Sequence, residues 1–259
     1  MKSFFRMCYP YILWIAVFIV APMIMILLYA LTKSGNSILT FQFTLEHFTK
    51  FFQDATFMKV LVTSLRIALM TTVFCILIGY PAALLIAGLS DRAQTMMVLL
   101  LTLPMWINML LKTYAWRGIL MNFTLESEVK VFIGMVYDFL PYMIIQIHTS
   151  ISKLDRDLLV ASYDLGANRW MTFRKVILPL SVPGIISGIT LVFLPAVSSF
   201  VIPKLLGGGD YVLIGNLIEI YFLNAGDWNF GSAISLIMAL IIIASMWATK
   251  KLDRNGGDE

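Results

Sequence analysis

Six stretches of the 259-residue chain stay apolar for long enough to cross a bilayer, or nearly so. A helix needs about 20 apolar residues to traverse the hydrocarbon core. The pattern predicts spans over residues 11–31, 65–89, 93–114, 131–151, 178–203 and 228–249. Arg66 lies at the edge of the second, and Asp138 interrupts the fourth. A seventh apolar stretch, from Tyr211 to Leu223, is too short and carries Glu219, so it is expected to be interfacial or re-entrant. Lys2 and Arg6 precede the first span as they would a signal peptide. The run from Met7 to Thr32 has no charge and no small-residue cleavage site, which predicts an uncleaved span.

Composition changes this picture little. The chain is 59% hydrophobic and 13% charged, against about 25% charged in soluble domains, so one membrane domain over residues 1–259 is expected. Cys8 and Cys75 fall in or beside apolar stretches and read as small core residues, not a disulfide or a metal pair. The net charge of +4 is no argument for nucleic acid, but the placement of the charges is informative. One set of connections holds Lys2, Arg6, Arg92, Lys153, Arg156, Arg169, Arg174, Lys175, Lys250, Lys251 and Arg254. The other holds Lys33, Lys50, Lys59, Lys130 and Lys204 over longer segments. Lys and Arg accumulate on the cytoplasmic side, which predicts that both termini and the loop between spans four and five are cytoplasmic. Arg66, Lys112 and Arg117 fall near outer ends of spans, from which they can snorkel outward.

That cytoplasmic loop, about residues 152–179, reads as helix, turn, helix. Asp155 or Asp157 can cap the first turn. Leu158, Leu159, Ala161, Ser162 and Leu165 make an amphipathic face, and Gly166 supplies the stop and tight turn. Asn168 can start a second helix bearing Trp170, Met171, Phe173, Val176 and Ile177, with Pro179 and Pro183 marking the start of span five. Either lipid headgroups or a soluble protein could cover such a face.

The same segment resembles the "EAA" motif of bacterial ABC-importer permeases: Glu-Ala-Ala, a Gly six residues after the Glu, then Ile-x-Leu-Pro. The matching positions are Val160, Ala161, Ser162, Gly166, Val176, Leu178 and Pro179, with Val160, Ser162 and Val176 replacing the motif's Glu, second Ala and Ile. The stretches PMWINMLLKTYAW, ASYDLGANRW, PLSVPGIISG and LIGNLIEIYFLNAGDWNFGSAIS are similar to the spermidine/putrescine importer permeases. The resemblance implies an all-α membrane protein with six transmembrane helices, the type I ABC-importer permease architecture and a coupling helix between spans four and five. Ala161, Ser162, Leu165, Gly166, Val176, Leu178 and Pro179 would couple to cytoplasmic ATPase subunits, which would use the ATP and Mg. A second permease subunit and an external solute-binding protein would complete an inner-membrane importer for polyamines.

The chain has no phosphate-binding G-x-x-x-x-G-K-S/T loop; LLGGGDYV lacks the Lys-Ser/Thr. No G-x-S-x-G or H-E-x-x-H occurs, and His47 and His148 stand apart without metal-ligand spacing. No catalytic residue, metal site or bound cofactor is therefore expected, and energy must come from a partner or an ion gradient. Asp138 lies about 10 Å inward from Val131 at 1.5 Å per residue. A charged Asp at mid-membrane costs about 2.5–3.5 kcal/mol on insertion scales. It must meet a partner (Lys112 or Arg117), a water-filled cavity or a cationic substrate. A polyamine is a chain of ammonium groups joined by methylenes, suited to carboxylates and aromatic faces; Trp106, placed inside span three after Pro104, Asp138 and Tyr142 could line its passage. Glu219 and Asp227 are either solvated loop carboxylates or groups facing a binding protein or the passage mouth. Pro195 favours a kink in span five. The rival function is a gradient-driven secondary transporter or channel for small cations, with Asp138 as its coupling residue.

Overall fold

The computed structural model describes residues 10–33, 42–209 and 211–257. Lys2, Arg6 and Cys8 lie outside the described residues, as do the side chains of Arg156 and Arg254. Among the described residues the chain is helical, with one isolated antiparallel bridge, Thr32 to Phe43. In chain order the helices are α1 (Pro10–Ala30), α2 (Glu46–Gln53), α3 (Ala55–Ala87), α4 (Asp91–Trp106), α5 (Met109–Leu120) and α6 (Ser127–Ser152). There follow α7 (Arg156–Asp164), α8 (Arg169–Ser198), α9 (Val201–Leu206), α10 (Ile214–Glu219) and α11 (Trp228–Gly257). Five of these, α1, α3, α6, α8 and α11, are long and apolar enough to span a membrane. The pair α4 and α5 makes a sixth span if taken together, but it is bent by 90°.

This bend corrects the single third span expected over residues 93–114. Pro104 removes one backbone donor from the last turns of α4. Ile107 and Asn108 are then extended, with ψ of 136° and 131°. The Asn108 side chain accepts the Leu110 N–H at 2.8 Å and starts a new helix. Other boundaries also move. α3 begins at Ala55, not residue 65, because Asp54 caps it by accepting the Thr56 N–H at 2.8 Å. Span five stops at Ser198, so Pro195 sits in its last turn, and α9 follows as a separate helix. The stretch from Tyr211 to Leu223 forms short α10 and a π turn, Ile220–Asn224.

Two spans contain π turns, and both turns stand just ahead of a proline. Ala16–Val20 precedes Pro22, and Phe173–Ile177 precedes Pro179. A proline ring collides with the carbonyl four residues back. The Ala21 and Leu178 N–H groups bond five residues back instead, to the Ala16 and Phe173 carbonyls, and this wider turn relieves the collision. The expected helix start at Pro179 and Pro183 therefore becomes one continuous helix from Arg169 to Ser198.

The described residues fall into two compact units. The first, residues 1–61 and 214–241, is centred on aromatic rings. Phe57 stacks with Phe51 at 5.9 Å and meets Phe230 at 5.1 Å, and Tyr221 lies edge-on to Phe230 at 4.7 Å. Asn229 donates to the Tyr29 and Thr32 carbonyls, both at 2.9 Å, which satisfies acceptors at the end of α1. His47, expected in an outer loop, is buried against the Thr32 carbonyl at 3.0 Å.

The second unit, residues 62–213 and 242–259, is built on α6 against α8. Small residues let these helices approach closely. A Cβ on Gly184 would overlap Ser150 and come within 2.9 Å of the Gln146 carbonyl. Cys75 is a buried free thiol on α3, and His148 on α6 is buried beside Ser152 at 3.2 Å.

Candidate functional site

The segment from α7 into α8 forms the helix, turn and helix that its local rules require. Asp155 accepts the Asp157 N–H at 3.0 Å and starts α7. The Ala167 N–H returns to the Ser162 carbonyl at 3.0 Å and the Gly166 N–H to the Tyr163 carbonyl at 2.9 Å. These two bonds make a Schellman turn, which needs a left-handed residue. Gly166 fills that position with φ of +81°. Asn168 accepts the Met171 N–H at 2.8 Å and opens α8. The turn is pinned between Ser162 Oγ and Thr172 Oγ1 at 2.9 Å.

The surface of this segment sets large apolar side chains among exposed charges, Asp157, Asp164, Arg169, Arg174 and Lys175. Leu158, Val160, Tyr163, Trp170 and Met171 are exposed, and Leu165 at the turn is 89% exposed. Ala161, Gly166 and Pro179 are exposed; Ser162, Val176 and Leu178 are half-buried. Ring contacts lead inward from this surface. Trp170 stacks on Phe173 at 5.4 Å, and Phe173 meets the edge of Tyr80 at 5.7 Å. The Tyr80 hydroxyl and Ser181 Oγ share a hydrogen bond of 2.7 Å. These contacts join the turn to α3 and α8. Thr172, Tyr80 and Ser181 have no part in the motif, and no sequence signal separates them from ordinary core residues.

Asp138 on α6 meets Lys112 on α5. Lys112 Nζ donates to Asp138 Oδ1 at 2.5 Å, with the two side chains 11% and 13% exposed. Lys112 therefore does not snorkel outward, and Arg117 is not the partner. Arg66 is also paired, to Glu128 at 2.6 Å. Tyr142 lies one turn from Asp138 on the same face of α6 and is half-buried. Trp116, one turn after Lys112 on α5, meets the edge of Tyr137 of α6 at 5.1 Å. Trp106 is not at mid-span. It ends α4 at the break, is 81% exposed, and its side chain makes no hydrogen bond or ring contact among the described residues.

Glu219 and Asp227 belong to the other unit. Asp227 accepts the Phe230 N–H at 3.0 Å and caps the first turn of α11, while Glu219 ends α10 half-buried. Burial, and then the carboxylates of Asp227 and Asp54, push the Tyr221 phenol above its ordinary pKa.

The backbone is similar to one chain of a bacterial ABC transporter that imports the acidic polysaccharide alginate, with a TM-score of 0.75 at 15% identity over 98% of this chain and 96% of that one. It is also similar to the MetNI methionine ABC transporter in an inward-facing conformation, with a TM-score of 0.61 at 16% identity over 78% of this chain and 99% of that one. These likenesses give the fold, that of type I ABC-importer permeases. In sequence, the chain is 36% identical to the spermidine/putrescine transport system permease protein PotB of Haemophilus influenzae, over 93% of this chain and 92% of that protein. The PotB of Escherichia coli K12 is likewise 36% identical, over 93% and 96%. The inner membrane ABC transporter permease protein YdcU of Escherichia coli K12 is 26% identical over 82% and 76%. Residues 76–255, from within α3 into the last turn of α11 and so including both the helix-turn-helix and the Lys112–Asp138 pair, match the model of the binding-protein-dependent transport system inner membrane component. The chain belongs to that family of multi-pass inner-membrane permeases, among its PotB-type members.

Proposed function

We propose that the chain carries polyamines into the cytoplasm as the permease subunit of an ATP-driven importer, working by alternating access. The observation that carries this reading is the exposed apolar turn between α7 and α8. Large exposed apolar side chains rimmed by Arg169, Arg174 and Lys175 call for a protein partner. Cytoplasmic ATPase subunits would dock there on Ala161, Ser162, Leu165 and Gly166, with Val176, Leu178 and Pro179 behind them. ATP and Mg would act in those subunits, whose change of spacing would pass through Trp170, Phe173 and Tyr80 to α3 and α8. A second permease subunit would complete the passage, and an external binding protein would deliver the substrate. The bias of Lys and Arg supports a cytoplasmic turn and cytoplasmic termini.

The polyamine reading draws on the PotB relatives and on chemistry that suits a chain of ammonium groups. Asp138 offers a carboxylate, and Tyr142 and Trp106 offer aromatic faces for cations and methylenes. Glu219 is assigned to contact with the binding protein on the outer side; Asp227 has its helix-capping role besides. The family match does not favour the gradient-driven transporter, which would need Asp138 as a free coupling group.

The test is uptake into vesicles reconstituted with this chain, its ATPase, the second permease and the binding protein, comparing radiolabelled spermidine, putrescine and a neutral sugar. ATP-dependent polyamine uptake is expected. Gly166→Val should abolish it with the complex still assembled, because nothing lies within 4 Å of a Cβ there. Its cost is a left-handed backbone, about 1–2 kcal/mol, confined to the docking turn. ATP-independent uptake driven by a proton or sodium gradient would sink the importer reading. Uptake of the sugar alone would keep the mechanism and remove the polyamine.

A further inference from the structure

The Lys112–Asp138 pair is an expensive arrangement. Taking two charges out of water costs several kcal/mol per ion, and apolar residues of similar volume often hold a fold as well or better. The pair is also incompletely made. Lys112 reaches Oδ1 alone, and no other hydrogen bond to the Asp138 carboxylate occurs among the described residues. An ionised carboxylate can accept bonds at about four lone-pair sites, so Asp138 has room for a second donor.

The donor it holds is a primary ammonium on a chain of methylenes, the same chemical unit as the end of a polyamine. Aromatic residues stand at neighbouring positions on the same two helices: Trp116, one turn after Lys112 on α5, meets Tyr137 of α6, and Tyr142 follows Asp138 by one turn of α6. Lys112 is carried by α5, in its first turn after the 90° break. Only the extended Ile107 and Asn108 join it to α4, so the direction of α5, and with it the placement of Lys112, is set by its packing on α6 and α9 and not by continuity with α4.

We propose that Lys112 is an internal stand-in for the substrate's ammonium, occupying Asp138 when the passage is empty and displaced when a substrate ammonium arrives. This rests on the polyamine reading above. The tethered ammonium keeps the empty passage electrically neutral. A lone inorganic cation must displace a covalently held competitor, whereas a polyamine brings several ammonium groups and aromatic contacts. Lys112 is thus a specificity-determining residue, setting the threshold that a cation must exceed.

The test uses the assembled complex in lipid nanodiscs, without binding protein, and measures radiolabelled spermidine binding for wild type, Lys112→Met, Lys112→Arg and Asp138→Asn. Uptake is measured in parallel with the complete system. An occupant that holds the site in most molecules lowers apparent affinity by the fraction left vacant, so Lys112→Met should tighten binding about tenfold. Asp138→Asn should abolish both binding and uptake. Lys112→Arg keeps the charge and can hold the carboxylate with two parallel bonds; it should assemble normally and slow uptake several-fold. Unchanged affinity in Lys112→Met, with Asp138→Asn still inactive, would overturn the stand-in and leave the polyamine passage intact. Unchanged uptake in Asp138→Asn would remove the carboxylate from the passage and overturn both. If Lys112→Met fails to assemble, Lys112→Arg decides, and wild-type uptake from it overturns the proposal.

Discussion

Arg66–Glu128 and Lys112–Asp138 both tie α6 to a neighbouring helix, at almost the same N–O distance, 2.6 Å and 2.5 Å. Their settings differ. The Arg66 and Glu128 side chains are 54% and 34% exposed, whereas Lys112 and Asp138 are nearly closed off. Water and salt can replace either member of the first pair and screen what remains. In the second, each charge depends on the other. Distance alone would rank the pairs as equals; access to solvent separates a surface contact from a site at which charge is controlled.

The largest expected effect comes from breaking the second pair on one side. Lys112→Met or Asp138→Asn should each lower stability by about 3–5 kcal/mol, because a lone buried charge remains. Thermal unfolding of the purified complex in detergent measures this. The double variant should recover most of the stability and none of the polyamine uptake. Recovery of uptake as well would reduce the pair to a structural tie and erase the contrast with Arg66–Glu128.

A smaller effect is expected where α5 begins. Asn108→Ala removes the acceptor for the Leu110 N–H and should cost about 1 kcal/mol. Since the same turn carries Lys112, spermidine binding should shift in this variant, while the Arg66–Glu128 pair, which lies on α3 and α6, is untouched. Equal unfolding temperatures and equal binding in Asn108→Ala and wild type would mean that the break does not position Lys112.

How far each region could be read from sequence follows from the range of the interactions that make it. The α7–α8 turn depends on residues a few positions apart, Asp155 with Asp157, Gly166 with Tyr163, and Asn168 with Met171, so cap and turn chemistry located it. The third span reads as one helix because its apolar run outweighs two local signals, Pro104 and Asn108. The late start assigned to α3 has the same origin: Lys59, Ser64 and Arg66 dilute an apolar window, although Asp54 is an ordinary cap. The π turns ahead of Pro22 and Pro179 leave no mark in periodicity. The partner of Asp138 is a long-range choice. Lys112 and Arg117 were both within reach by span number, and they sit on different faces of a helix, so only the rotation of α5 against α6 decides between them.

The smallest expected effect belongs to Arg66→Gln. Glutamine keeps the aliphatic stem and loses the charge and the guanidinium donors, so the variant removes the ion pair at the exposed end of the comparison. An exposed pair contributes about 0.2–1 kcal/mol, and unfolding in low salt should show a loss of that size. Raising the salt should shrink the difference between Arg66→Gln and wild type, since at 0.15 M the screening length is about 8 Å and the pair is open to solvent. The loss in Lys112→Met should persist under the same salt, because a pair only 11% and 13% exposed is screened far less than one open to solvent. A salt response of equal size at both sites would mean that Lys112 and Asp138 are as wet as Arg66 and Glu128, and a stand-in ammonium would then have no closed site to guard.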